Sequence, residues 1–164
     1  MSIEIERKFL VDHDAWNALN KPTGVQYKQG YILSDETRTV RVRVTEKHGY
    51  ITLKGPSGES RMSRAEYEYE IPIAEAEQIL ARFTTNGTQK MRYRIPAGDF
   101  IWEVDVFSGD NQGLIVAEIE LKSETDEFEK PEWITEEVTA DDRYANSNLA
   151  IHPFKDWVKN RKSH

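Results

Sequence analysis

The ionisable residues of this chain stand two apart, mostly in runs of one sign. Glu4, Glu6 and Lys8 open the pattern, and Arg41 with Arg43 and then Glu66, Glu68 and Glu70 continue it. Lys90, Arg92 and Arg94 follow, then Glu103 and Asp105, then Glu118, Glu120 and Lys122, while Lys54 stands alone. A spacing of two puts side chains on one face of a β-strand, so each run becomes a row of charge. Rows of guanidinium and ammonium groups suit phosphate oxygens. Rows of carboxylates suit a hard divalent cation such as Mg²⁺ or Mn²⁺. Together the rows describe a site for a metal and a polyphosphate.

The residues between the charges are apolar: Ile3, Ile5 and Phe9 (with Arg7), Val40, Val42 and Val44, Tyr67, Tyr69 and Ile71, Met91, Tyr93 and Ile95, Trp102, Val104 and Val106, and Ala117, Ile119 and Leu121. Taken singly, any such strand fits a half-solvated sheet with its charges in water. Two features turn the pattern inside out. Solubility favours interspersed signs, not blocks of three carboxylates or three cations. Helices with apolar stripes also need a surface to cover, and the apolar register supplies one only if it faces outward. Burying ions costs several kcal/mol each before pairing, so a charged lining is expected only where function requires it.

The elements follow from periodicity. Alternation predicts eight strands, at Ile3–Val11, Gln26–Leu33, Thr37–Thr45, Tyr50–Lys54, Ala65–Ile73, Thr88–Ile95, Phe100–Phe107 and Leu114–Lys122. Turn chemistry joins them at Lys47-His48-Gly49, Gly55-Pro56-Ser57-Gly58 and Pro96-Ala97-Gly98-Asp99. A helix is predicted over Ala74–Phe83, where Ile73, Ala76, Ile79, Leu80 and Phe83 form one stripe, and a shorter one near Asp14–Leu19. Thr139 is placed to cap a segment through Ala150, with Asp142 as its partner, and Pro153 to open another that carries Phe154, Trp157 and Val158. The expected fold is α+β, mainly β: a closed eight-stranded antiparallel barrel with helices outside, one domain over residues 1–164.

Composition narrows the function classes. The chain has 164 residues, 31% of them charged, and a net charge of −7, which disfavours a nucleic acid or an anionic membrane as partner. With no cysteine, thiol catalysis, disulfides and zinc–thiolate sites are excluded. The start Met1-Ser2-Ile3-Glu4 has no signal-peptide character and no apolar run approaches a membrane span, so a cytoplasmic location is expected. No GxxxxGK[ST], GxSxG or HExxH occurs, and His13, His48, His152 and His164 show no ligand spacing.

The run Glu4-Ile5-Glu6-Arg7-Lys8 resembles the ExExK signature of the triphosphate tunnel metalloenzymes, the CYTH superfamily. Further matches follow in order: Gln29-Gly30-Tyr31, Arg41-Val42-Arg43, Lys54, Ser63-Arg64-Ala65-Glu66-Tyr67-Glu68, Lys90-Met91-Arg92-Tyr93 and Glu118-Ile119-Glu120. Glu136-Glu137-Val138-Thr139 and Arg143-Tyr144-Ala145-Asn146 are similar to the C-terminal plug helix of the short bacterial members. The resemblance implies that Lys8, Arg41, Arg43, Lys54, Lys90, Arg92 and Arg143 bind a small-molecule triphosphate. It implies Glu4, Glu6, Glu118 and Glu120 as metal ligands, with Glu66, Glu68 and Asp105 as an acidic wall that orients water or holds a second metal. Glu68 and Asp105 have an alternative as plain ion-pair partners of tunnel arginines, Tyr31 as a partner of Lys8 or a wall residue, and Arg143 and Asn146 as anchors of the plug. Lys8, Tyr31 and Glu68 are the catalytic candidates, and Glu70, Arg94, Glu103 and Lys122 are expected at the rim. The implied reaction is metal-dependent hydrolysis of inorganic tripolyphosphate by a monomer or homodimer. Class IV adenylyl cyclase, thiamine triphosphatase and a non-catalytic polyphosphate- or nucleotide-binding module are the alternatives.

Overall fold

The computed structural model describes residues 2–58 and 63–157. Eight strands close on themselves: β1 (Ser2–Val11), β2 (Val25–Ser34), β3 (Thr39–Val44), β4 (Gly49–Pro56), β5 (Ser63–Ile71), β6 (Gly87–Ala97), β7 (Phe100–Ser108) and β8 (Ile115–Leu121). The order around the barrel is β1-β8-β7-β6-β2-β3-β4-β5, and β5 returns to β1, with Ile3 opposite Ala65. Every neighbour pair is antiparallel. The strand ends differ from expectation where turn residues join the ladder: Pro56 and Pro96 lie in β4 and β6, and the β6–β7 turn is left to Gly98 (φ +63°) and Asp99.

A ninth strand, β9 (Ile134–Glu137), was not expected from alternation, which a four-residue segment is too short to show. Ile5 pairs with Leu121 on one side and Ser63 on the other, so β5 occupies only the first half of that edge of β1. The second half pairs with β9, Val11 opposite Ile134 and Phe9 opposite Glu137. Covering this half-edge removes unpaired backbone groups that barrel closure leaves behind.

The apolar register faces outward and makes the core there. Ile5, Phe9, Val104, Ala117 and Ile119 pack with Trp102 and Trp133, and with Trp16 of α1 (His13–Ala18), whose first turn is capped by Asp12. Val42 and Val44 lie beneath α2 (Ile73–Phe83), which presents Ala76, Ile79 and Leu80 to them. Gly49 makes this packing close: a Cβ there would stand 2.6 Å from that of Ala76. Gly49→Ala is therefore expected to destabilise by about 1–3 kcal/mol through overpacking, measured by denaturant unfolding with an unchanged m-value.

The C-terminal segment departs from the single Thr139-capped helix of the sequence reading. The Thr139 hydroxyl accepts from the Lys8 backbone N–H (3.0 Å), and Val138 N–H donates to the Lys8 carbonyl, so this stretch extends the β9 contact with β1. A 3₁₀ turn at Asp142–Tyr144 and a short α3 (Asn146–Ile151) follow. Residues 154–157 are helical as expected, with Phe154 and Trp157 packed near Leu149, Phe107, Leu114 and Val116; Val158 lies outside the described residues. Leu10, Phe107 and Val116 belong to the inward register, so one end of the barrel interior is apolar and α3 closes it. The C-terminal segment is a plug, although a broken one.

Candidate active site

A slip of one residue in any strand would turn its charges to the outside, so the register that buries Val42, Trp102 and Ile119 also aims the ionic rows inward. They converge on one cavity of about 290 Å³. Its walls hold Glu4, Glu6, Lys8, Tyr31, Arg41, Arg43, Lys54, Glu66, Glu68, Lys90, Arg92, Glu118 and Glu120. Strand order separates the signs. The carboxylates come from β8, β1 and β5, which are contiguous, and the cations chiefly from β6 and β3, with Lys54 from β4 beside β5.

On the basic wall, Arg92 makes a two-pronged contact with Asp105 (2.7 and 2.9 Å), and Lys90 Nζ donates to the same carboxylate at 2.7 Å. Burial opposes ionisation of Asp105, but Arg92 and Lys90 outweigh it and hold the carboxyl below its usual range. Burial pushes Lys90 down to about 7 against the pull of Asp105. Arg43 Nε donates to Gln29 (3.1 Å) and its guanidinium stacks on Tyr27. Burial, with Arg41 and Arg92 nearby, pushes Arg43 to about 10, so it remains charged at neutral pH. Arg41 donates to Thr52 at 3.3 Å and lies 3.8 Å from Glu68, and its buried Nε has no partner among the described residues. These are cations with unspent donors crowded together, the condition an anion relieves.

On the acidic wall, Lys54 Nζ bridges Glu4 (2.7 Å) and Glu66 (3.7 Å), and Lys8 lies 3.8 Å from Glu118 while donating to the Tyr144 carbonyl. Burial and the neighbouring Glu118 push Glu6 up to about 8. Glu118, for its part, is held far below its usual range by Lys8, Arg92 and Lys90 against its own burial, and it shares a hydrogen bond with Glu6. Glu66 rises to about 7 through burial and its hydrogen bond with Glu4, and burial raises Glu120. Among the described residues no three His, Asp or Glu side chains stand close enough to grip one ion together. The carboxylates meet instead as proton-sharing pairs, Glu6–Glu118 and Glu4–Glu66. All-oxygen pairs from which a cation can displace the proton fit a hard divalent metal.

This sharing has a measurable consequence. Between pH 4.5 and about 7–8 the folded protein keeps protons on Glu66 and Glu6 that the unfolded chain has released. Stability of chelator-treated protein should therefore fall as pH rises from 5 to 7. Lys90 acts in the opposite sense only above about 7. Thermal unfolding across this range tests the expectation, which a flat or rising Tm contradicts, and saturating Mg²⁺ or Mn²⁺ should remove the decline.

Two expected site residues lie elsewhere. Arg143 is held by Asp141 (2.6 Å) against Tyr144 and Trp157, with most of its side chain in solvent, because the 3₁₀ turn points it away from the cavity. Asp105 is sealed behind Lys90 and Arg92, and so it positions cations and does not form part of the open acidic wall. Glu103 and Arg94, expected at the rim, line the cavity mouth as a pair 2.8 Å apart. Tyr27, Tyr50, Arg64 and Asn146 also line the cavity, and Gln29 and Thr52 support it from behind. The period-two register carried a signal for Tyr27, Gln29 and Thr52, but their neutrality hid it.

A closed barrel with opposed carboxylate and guanidinium walls defines a class of protein that holds anionic chains inside a tunnel. Comparison with known proteins agrees. The CYTH domain matches residues 2–148, and the chain belongs to that family. It is 50% identical over 158 residues to an inorganic triphosphatase of Acetivibrio thermocellus, covering 96% of this chain and 99% of that protein. An inorganic triphosphatase of Nitrosomonas europaea is 36% identical over 153 residues, covering 90% and 97%. The crystal structure of an inorganic triphosphatase superposes with a TM-score of 0.62 at 32% identity, covering 90% of this chain and 97% of that one. A putative adenylate cyclase from Bacillus halodurans (TM-score 0.58, 17% identity, covering 100% and 93%) shares the fold.

Proposed function

We propose that the protein hydrolyses inorganic tripolyphosphate to pyrophosphate and orthophosphate with the help of Mg²⁺ or Mn²⁺. The observation that carries this reading is the opposition of charge across a single cavity closed at one end. Arg41, Arg43, Lys54, Lys90 and Arg92 bind the phosphate oxygens, and Lys8 adds charge from the acidic side. Glu4, Glu6, Glu118 and Glu120 would hold the metal once it displaced their shared protons and drew these carboxylates together, and when bound it would neutralise phosphate charge and polarise the phosphoryl group. Water attacks the terminal phosphorus in line as the P–O bond to the leaving pyrophosphate breaks. Glu68, which accepts a hydrogen bond from Thr52 (2.9 Å), aligns that water and accepts its proton, and Tyr31 lines the same cavity. Little covalent chemistry is needed, because positioning and electrostatics lower the barrier.

The test is incubation with tripolyphosphate, ATP or thiamine triphosphate plus Mg²⁺ or Mn²⁺, with products resolved chromatographically. Pyrophosphate and orthophosphate from tripolyphosphate, well ahead of turnover of the organic triphosphates, is the expected result. Cyclic AMP from ATP would establish a cyclase, and tight binding without turnover under either metal a binding module.

A further inference from the structure

Asn146 belongs to the C-terminal plug yet lies on the cavity wall among the cations. Its Oδ1 accepts from Lys90 Nζ at 2.9 Å and from Gln29 Nε2 at 3.2 Å. Lys90 and Gln29 are both sealed from solvent, and Gln29 is held in turn by Arg43 at its Oε1. An ammonium can only donate, so the amide atom that meets Lys90 must be the oxygen. That fixes the side-chain flip and turns Nδ2 the other way. Nδ2 makes no hydrogen bond among the described residues, and it is not one of the sealed donors without a partner. It is therefore open to solvent, on a residue that lines the cavity.

We propose that Asn146 is a phosphate-binding residue that presents Nδ2 as a neutral hydrogen-bond donor at the plugged end of the cavity, locked in that orientation by Lys90 and Gln29. The inference rests on the triphosphate reading. It adds to it a ligand that the plug contributes and a reason for the plug to reach inside. A neutral donor grips a phosphate oxygen without adding to the repulsion among Lys90, Arg92 and Arg43. It also ties phosphate binding to docking of the C-terminal segment.

Two substitutions separate binding from anchoring. Asn146→Asp keeps an acceptor for Lys90 and Gln29 but replaces the donor with a carboxylate oxygen. Asn146→Ala removes both. Metal-free binding of tripolyphosphate is measured by calorimetry beside Tm, and wild-type binding must be present first, since its absence would count against the triphosphate reading itself. Asn146→Ala is expected to weaken binding about tenfold, the scale of one hydrogen bond to a charged group. Asn146→Asp should weaken it at least as much while Tm stays at or above wild type. Binding by Asn146→Asp within about twofold of wild type would reduce Asn146 to an anchor of Lys90 and overturn the proposal, as would unchanged binding by a folded Asn146→Ala. Should Asn146→Ala fail to fold, Asn146→Leu, close to Asn in size, removes the donor without adding a charge. A loss of about tenfold in that variant supports the donor, and binding within about twofold of wild type overturns it.

Discussion

Glu6→Gln is expected to lower metal-dependent hydrolysis of tripolyphosphate by about 10³ or more while leaving the barrel as stable as before. The amide keeps the size of the side chain and loses the anion that a hard cation requires. Removal of a supporting partner around a metal typically costs about 10–100-fold, and one transition-state donor about 10²–10³. A direct ligand should exceed the first figure and reach the upper end of the second. Stability should survive because Glu6, pushed up to about 8 by burial and Glu118, is already protonated at neutral pH without metal. A Gln amide can donate to Glu118 as that protonated carboxyl does. The variant should therefore melt at or above the wild-type temperature in chelator, with a smaller decline between pH 5 and 7. Calorimetric titration with Mn²⁺ should show weakened metal binding. Wild-type turnover by Glu6→Gln at saturating Mg²⁺ would show that the metal lies elsewhere.

The barrel was legible because charge and apolarity alternate through almost every strand, and because α2 needed an outward apolar face such as Val42 and Val44 provide. What escaped was set by tertiary contact. β9 exists because β1 has a half-free edge, which periodicity does not encode. Thr139 reads as a helix cap in sequence, but Lys8 claims its hydroxyl first. Among site residues, charge rows pointed to the cavity walls but could not rank depth. Asp105 reads like any row member, yet three bonds from Lys90 and Arg92 place it behind them. Arg143 has the chemistry of a phosphate ligand and the backbone of a surface turn. Neutral groups such as Gln29 and Thr52 lie on the same faces without contrast to mark them.

That ranking by depth decides which cation gives the cleanest test of phosphate binding. Arg92→Ala would leave the buried Asp105 with Lys90 alone, and breaking such a buried pair costs about 3–5 kcal/mol, so lost activity would be confounded by lost stability. Arg41 has no such tie. Its side chain makes a 3.3 Å hydrogen bond to Thr52 and approaches Glu68 at 3.8 Å, and its Nε has no partner among the described residues. Arg41→Ala should therefore lower kcat/KM for tripolyphosphate by about 10²–10³, with a Tm close to wild type. Arg41→Lys keeps the charge but replaces a planar fork that directs two hydrogen bonds with a point charge, and its loss should fall between wild type and Ala. Arg94→Ala serves as the control. Arg94 is paired with Glu103 at the mouth with 61% of its side chain exposed, where an ion pair contributes little, and it should keep kcat/KM within about twofold. If Arg41→Ala also stays within about twofold, the crowded guanidinium groups are there to balance the carboxylates opposite, and the basic wall does not clamp substrate.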